Sequence, residues 1–297
     1  MKNYNLAFLG FGNVGRALVQ LLESKRGDLR DRYGVEFAFT GVASRRLGWH
    51  ANVAGYAGSD LIGDGSAFTA HSVSNKAAGP EDQTLAELRD WLAASQANVL
   101  FENTSLNPHT GQPAIDYIRT ALLAGVHVVT ANKGPVVYAY HELRDLAAAN
   151  NVRFLFEAAV MGGAPVFSLF REALPAARLE RFRGILNSTT NLILTEMERG
   201  SSFEASVRKA QDLGIAETDP NFDVDGWDAT VKVGALAPAA WPPIKFWNVV
   251  INGAARCGRG LRFRLRQRER LSQAVLRVAL APTARIFPDG RGRHSGL

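Results

Sequence analysis

The stretch Gly214 to Lys232 reads GIAETDPNFDVDGWDATVK and gathers Glu217, Asp219, Asp223, Asp225 and Asp228 ahead of a single cation, Lys232. Pro220 and the polar run Asn221 to Gly226 predict a loop. Trp227 to Val233 then opens a helix, with Asp225 placed as its N-cap. On that helix Asp228 and Lys232 lie four residues apart and share a face. An exposed pair of this kind contributes only about 0.3–0.5 kcal/mol, and a capped helix start would account for it. Held in a cleft, the same acids and lysine are groups that transfer protons. The choice between these readings rests on what else the chain offers.

It offers three further polar constellations. Lys133 sits in Thr130-Ala131-Asn132-Lys133-Gly134-Pro135 after a short apolar strand, Val126 to Val129, and the Gly-Pro predicts a turn. A lysine at a strand's carboxyl end lies where open α/β sheets bind ligands, although a solvated surface lysine has the same pattern. Glu157 heads Glu157-Ala158-Ala159-Val160-Met161-Gly162-Gly163-Ala164-Pro165. Its small residues would leave backbone carbonyls free to coordinate a cation beside one carboxylate, or would make a tight packing corner. Asn187-Ser188-Thr189-Thr190-Asn191, between a predicted strand Arg181 to Leu186 and a helix Leu192 to Glu198, reads equally as a polar substrate loop or a helix cap.

The elements that must position these groups begin at the N-terminus. A short apolar strand, Leu6 to Leu9, runs into Gly10-Phe11-Gly12-Asn13-Val14-Gly15 and a helix from Arg16 to Glu23. This is GxGxxG between strand and helix. Gly10 permits the turn, Gly12 lets a pyrophosphate approach the backbone, and Gly15 allows helix and strand to pack closely. The free amides at the helix start face the phosphates. A second strand, Val35 to Ala43, ends in Ser44-Arg45-Arg46 rather than the acidic residue that binds ribose hydroxyls in NAD sites. The guanidinium of Arg45 suits a 2′-phosphate, so NADP(H) is favoured over NAD(H); a solvated charge pair is the plain alternative. The polar segment Ser24 to Gly34 reads as an insert that lengthens this unit. Gly48 to Gly79 reads as loop with irregular helix, and Thr84 to Ser95, Ala114 to Ala124 and Tyr140 to Asn150 as helices. The strand Asn98 to Phe101 ends in Glu102-Asn103-Thr104-Ser105, again small and polar.

GFGNVG, TANKGP, EAAVMGGAP, ILNSTTN and GIAETDPNFDVDGWDATVKV, in this order, resemble homoserine dehydrogenase over roughly residues 4–236. The last block is the most specific of the five. The resemblance implies NAD(P)-linked interconversion of L-homoserine and L-aspartate 4-semialdehyde, with Lys232 as acid/base. It implies that Glu217, Asp228 and Lys133 bind the amino-acid substrate. Phe11, Asn13, Val14, Thr104 and Lys133 would line the cofactor, with Gly214 near the nicotinamide. Glu157 and the backbone carbonyls of Val160, Gly162 and Ala164 would bind sodium. Ser188 stands where the family pattern usually has Gly. The fold class that follows is α/β: a Rossmann-like NAD(P)-binding domain over 1–150, then an α+β catalytic domain over 151–236.

From about Ala237 the pattern changes. Residues 237–297 carry a net charge of +10, and the other 236 residues carry −4. The likeness to the family is expected to stop here, as a reading-frame shift in GC-rich coding DNA would make it. A basic tail for nucleic acid or an acidic membrane surface is the rival. An inactive relic of the family, or a dehydrogenase for another amino-acid semialdehyde, are the rival functions. A single cysteine, Cys257, excludes an internal disulfide. No apolar run is long enough to span a bilayer and no signal-peptide pattern opens the chain. The expectation is a cytoplasmic enzyme, homodimeric if the tail folds, with no nucleic-acid or membrane partner.

Overall fold

A computed structural model describes residues 1–63, 72–74, 81–174, 186–216 and 219–240, with the backbone path alone at 72–74, 81–84 and 237–240. Glu217, the predicted strand over 181–185 and the basic segment after 240 lie outside the described residues. The strands are β1 (Lys2–Leu9), β2 (Val35–Ser44), β3 (Gly48–Tyr56), β4 (Ser72–Ser74), β5 (Val99–Glu102), β6 (His127–Thr130) and β7 (Phe154–Leu155). They make one sheet in the order β4-β3-β2-β1-β5-β6-β7. β1 pairs in parallel with β2 on one side and β5 on the other, and β5, β6 and β7 continue in parallel. β3 and β4 add an antiparallel edge. The chain thus leaves β1 in one direction and later resumes beside it in the other. The crevice beyond the carboxyl ends of β1 and β5 is where such sheets bind ligands.

Leu6, Ala7, Phe8 and Leu9 are all buried because β1 is covered on both faces, which makes a central parallel strand read as an unbroken apolar run. Alternate residues serve opposite faces. Ala7 and Leu9 join Leu100, Trp91, Ile118 and Leu143 on one. Leu6 and Phe8 join Phe11, Val19, Phe39 and Leu61 on the other. The helices that cover the sheet include α1 (Asn13–Tyr33), α2 (Gly58–Ile62), α3 (Glu81–Ala94), α4 (Ala114–Leu123) and α5 (Lys133–Ala149). In α4 the buried set Ile115, Ile118, Ala121 and Leu122 forms one stripe.

The second half of the described chain is helical: α6 (Val166–Ser168), α7 (Ser188–Glu198), α8 (Phe203–Asp212), α9 (Asn221–Val224) and α10 (Trp227–Ala240). Ile193, Ala210, Ala216 and Val224 make its small core. Buried Glu196 ties α7 to α8 by accepting from Arg199 at 2.8 Å and Lys209 at 2.7 Å. Ala235 and Leu236 of α10 enter the same cluster as Val136 and Leu143 of α5. The last helix is therefore packed on the sheet domain.

Several local expectations need correcting. Ser24 to Gly34 is no insert, because α1 runs unbroken to Tyr33 and Gly34 closes it at φ 64°. Gly48 to Tyr56 is a strand, not a loop: its Gly and Ala content hides the pleat, while Trp49, His50 and Tyr56 are buried. Gly134-Pro135 does not form a turn after Lys133. Both lie in the first turn of α5, where a proline's missing N–H costs nothing. Asn221 to Val224 forms the short helix α9 instead of a loop, and Asp225 ends it. Gly226, at φ 84°, redirects the chain, and its carbonyl accepts from the Thr230 N–H at 2.9 Å, so Asp225 is not the N-cap of α10. The domain boundary drawn at 150 falls before β7, which completes the sheet by pairing with β6.

Candidate active site

The nucleotide end of the crevice follows from three glycines with different reasons to be glycine. Gly10 has φ +83°, and a Cβ there would lie 2.5 Å from the carbonyl oxygen of Asn103. Only glycine lets the end of β1 touch the loop after β5. A Cβ on Gly15 would meet the ring of Phe11 at 2.9 Å. Gly12 is different, since a Cβ there would meet nothing within 4 Å. The fold leaves that space open, as a closely approaching phosphate requires. The first intrahelical bond of α1 runs from Arg16 N–H to the Gly12 carbonyl at 3.1 Å, so the amides before it are those a helix start leaves for an anion. Gly10, Phe11, Gly12, Asn13, Arg16, Arg45 and Thr104 line one cleft of about 690 Å³. Val14, in the first turn of α1, is 57% exposed.

The second centre is built where the two halves meet. Asn132 caps α5, its side chain accepting from the Gly134 N–H at 3.0 Å, and this fixes Lys133 as the first helical residue. Asp228 and Lys232 share a face of α10, as their spacing predicts. The Lys232 ammonium is 2.7 Å from Asp228 Oδ2, and Lys133 is 3.4 Å from Oδ1. One buried carboxylate therefore bridges two lysines from different halves of the chain. Asn187 Nδ2 donates to the same Oδ2 at 2.8 Å and to Asp223 Oδ1 at 2.7 Å. Lys232 also donates to the Leu186 carbonyl at 2.7 Å. Burial acts to raise the Asp228 carboxyl, but hydrogen bonds from Lys232 and Asn187 and the charges of both lysines outweigh it and hold the group below its ordinary value. The two centres touch: Asn132 Nδ2 donates to the carbonyl of Thr104, a cleft residue, at 3.4 Å. The His109 ring also meets Trp227 edge-on at 4.9 Å.

The Asn187 to Asn191 run resolves into a helix cap, in which Asn187 Oδ1 accepts from the Thr190 N–H at 2.8 Å. Gly214, at φ 68°, closes α8. Glu157 accepts from the amides of Phe167 at 2.9 Å and Ser168 at 3.0 Å and from the Ser168 hydroxyl at 2.6 Å, capping α6. The Ala164 carbonyl accepts from the Val166 N–H at 2.9 Å. Sequence reasoning passed over Asn187 as a partner of Asp228, Arg16 as a cleft residue and Glu102 as a buried acid. A strand that ends in Glu102 at the crevice was the available signal for the last.

The chain matches the family model for the homoserine dehydrogenase NAD-binding domain over residues 10–157 and that for homoserine dehydrogenase over residues 165–284. It is 35% identical over 239 residues to the homoserine dehydrogenase of Methanocaldococcus jannaschii, covering 78% of this chain and 68% of that one. This chain belongs to the homoserine dehydrogenase family. It is also 39% identical over 237 residues to the NAD(+)-dependent homoserine dehydrogenase of Pseudomonas canavaninivorans, covering 80% of this chain and 66% of the relative. The crystal structure of a putative homoserine dehydrogenase from Archaeoglobus fulgidus superposes with a TM-score of 0.71 at 31% identity, over 87% of this chain and 74% of that one. A hyperthermophilic archaeal homoserine dehydrogenase in complex with NADPH superposes at 0.67 and 28% identity, over 84% and 77%. The chain spans about two thirds of the length of these two curated relatives, and about half of that of the relatives from Bacillus subtilis and Lactococcus lactis. The second family match continues past Ala237, so the likeness does not stop where the sequence pattern suggested.

Proposed function

We propose that this chain interconverts L-homoserine and L-aspartate 4-semialdehyde, with Lys232 as the acid/base and NADP(H) as the preferred hydride carrier. The bridge Lys133–Asp228–Lys232, set against a glycine-walled nucleotide cleft, is the observation that carries this reading. The bound nicotinamide would supply or accept the hydride at the carbonyl carbon. Lys232 protonates the aldehyde oxygen as charge develops on it, and takes the proton back in the reverse direction. Asp228 offers its oxygens to the substrate ammonium, which competes with the lysines for them, and Glu217 is the proposed second carboxylate for that ammonium. Lys133 holds the other side of Asp228 and faces substrate and cofactor. Gly214 is the proposed backing for the nicotinamide.

The open space at Gly12 and the cleft-lining Arg45 and Arg46 support NADP(H), since two guanidinium groups suit a 2′-phosphate. The oxygen donors of Glu157, Val160, Gly162 and Ala164 suit a hard monovalent cation in kind. No step of the reaction runs through sodium. A homodimer and a cytoplasmic location complete the proposal; among the described residues no helix is long and apolar enough to cross a membrane. The deciding experiment is homoserine-dependent reduction of NADP(+) by the purified 297-residue chain, with NADPH-dependent reduction of other amino-acid semialdehydes as the control for substrate choice. Lys232→Ala is expected to lower kcat by about 10²–10⁴-fold while NADPH binding persists. Near-normal turnover in that variant would refute the acid/base assignment.

A further inference from the structure

We propose that Glu102 is a positioning residue that fixes Lys133 against the cofactor cleft, through a closed ring of hydrogen bonds with Thr104, Asn132 and Thr130. The inference rests on the reading of Lys133 as part of the active site. Glu102 is the last residue of β5 and has no exposed surface. Its Oε1 accepts from the Thr104 N–H at 2.8 Å and from the Thr104 hydroxyl. Its Oε2 accepts from the Thr130 hydroxyl at 2.6 Å. Thr130 Oγ1 in turn accepts from the Asn132 N–H at 2.9 Å. Asn132 Nδ2 donates to the Thr104 carbonyl at 3.4 Å, which closes the ring. Asn132 Oδ1 caps the helix that begins with Lys133.

The chemistry requires an acceptor on both sides. The Thr104 amide can only donate, and the Thr130 hydroxyl, which accepts a hydrogen bond from the Asn132 N–H, donates its own hydrogen to Glu102. A carboxyl is the side chain that accepts from two loops at once. Burial pushes Glu102 up from its ordinary value and the threonine donors pull the other way, with burial prevailing. A core acid costs stability unless every neighbour satisfies it. Here those neighbours are the cleft-wall residue Thr104 on one side and the residues that set Lys133 on the other. A packing role would demand none of this connectivity.

The test uses buried residues. Thr130 is 1% exposed and is not in the cleft wall. Thr130→Val keeps its shape and removes the hydroxyl, whereas Thr130→Ser keeps the hydroxyl. Glu102→Gln must leave its oxygen on the Thr104 amide, which turns an NH₂ toward Thr130. Losing a hydrogen bond to a charged group predicts about a 10-fold weakening or more. Thr130→Val and Glu102→Gln should each raise the NADPH dissociation constant and lower kcat/KM for homoserine by about 10-fold. Thr130→Ser should restore both to within about three-fold, and the double variant should be no worse than either single one. Equal defects in Thr130→Val and Thr130→Ser would overturn the proposal. So would a lowered Tm with NADPH affinity intact, or losses that multiply in the double variant. Should the unchanged chain bind NADPH yet fail to oxidise homoserine, the proposed function falls, and the binding arm still decides the role of Glu102.

Discussion

Asp228→Asn separates the electrostatic role of the bridge from its shape. The native carboxylate takes Lys232 at 2.7 Å and Asn187 at 2.8 Å on Oδ2, and Lys133 at 3.4 Å on Oδ1. All three neighbours are donors. The substituted amide can place its oxygen toward Lys232 and Asn187 only by turning its NH₂ toward Lys133. The variant thus keeps two weakened hydrogen bonds, loses the third, and leaves two ammonium groups beside a neutral side chain. Hydrogen bonds to charged groups contribute about 1.5–3 kcal/mol each, and removing one partner of a buried pair costs about 3–5 kcal/mol. The lysine side chains retain 20–21% exposure, so water relieves part of this. A loss of about 3 kcal/mol is the working figure. At about 2–4 °C per kcal/mol for a chain of this size, Tm should fall by roughly 6–12 °C at pH 7.

The pH dependence gives the sharper assay. Asp228 is held below the ordinary aspartate value of 3.8. A carboxyl depressed in the folded state binds its proton less readily there than in the unfolded chain. Its contribution is complete above the unfolded value and disappears as pH falls through the folded one. The gap in Tm between the native chain and Asp228→Asn should be constant above about pH 5 and close below about pH 4. Thermal melts followed by circular dichroism across that range would measure it. A gap under 2 °C at pH 7, or one that ignores pH, would refute the account of Asp228 as the shared counter-ion.

Three further outcomes follow from the same geometry. Gly12→Ala should leave Tm unchanged, because its Cβ enters open space, yet weaken NADPH binding by about 10-fold or more in a fluorescence titration; equal affinity would remove the phosphate from that position. Gly10→Ala should lower Tm through both its left-handed backbone and the 2.5 Å approach to Asn103, so an unchanged melt would show that the β1–β5 contact yields easily. Arg45→Ala combined with Arg46→Ala should raise KM for NADP(+) by about 10-fold and leave KM for NAD(+) within about two-fold; parallel changes would make the two arginines general electrostatic contributors.

Much of this architecture is legible because local chemistry and tertiary role agree. The glycine pattern, the apolar run of β1 and the polar endings of β5 and β6 each declare a strand that stops at a crevice. The spacing of Asp228 and Lys232 likewise declares a shared helix face, and the structure keeps it. The misreadings arise where two forces compete. Gly48 to Tyr56 is poor in strand-forming residues, yet pairing with β2 holds it as a strand. Gly134-Pro135 suggests a turn from local preference, but the side chain of Asn132 makes it a helix start. The partner of Asp228 in the other half of the chain is invisible to local pattern for a plainer reason, and only the family resemblance brings it to the same substrate: Lys133 lies 95 positions away, and no periodicity links them.

That long-range pairing requires the two halves to be packed closely. A lysine at the start of α5 and a carboxylate near the start of α10 can meet only if the two helices keep a fixed relation. Ala235 and Leu236 provide it by entering the core that holds Val136 and Leu143. Burying Ala235 and Leu236 there rewards the same helix placement that brings Asp228 to Lys133, and the ion pair does not have to hold the halves together by itself. The site's charges are then free to exchange partners. On the proposed reading, an amino-acid ammonium arriving at Asp228 would displace a lysine from the carboxylate without loosening the helix that carries it. Packing fixes the geometry, and the bridge remains the part that chemistry can open.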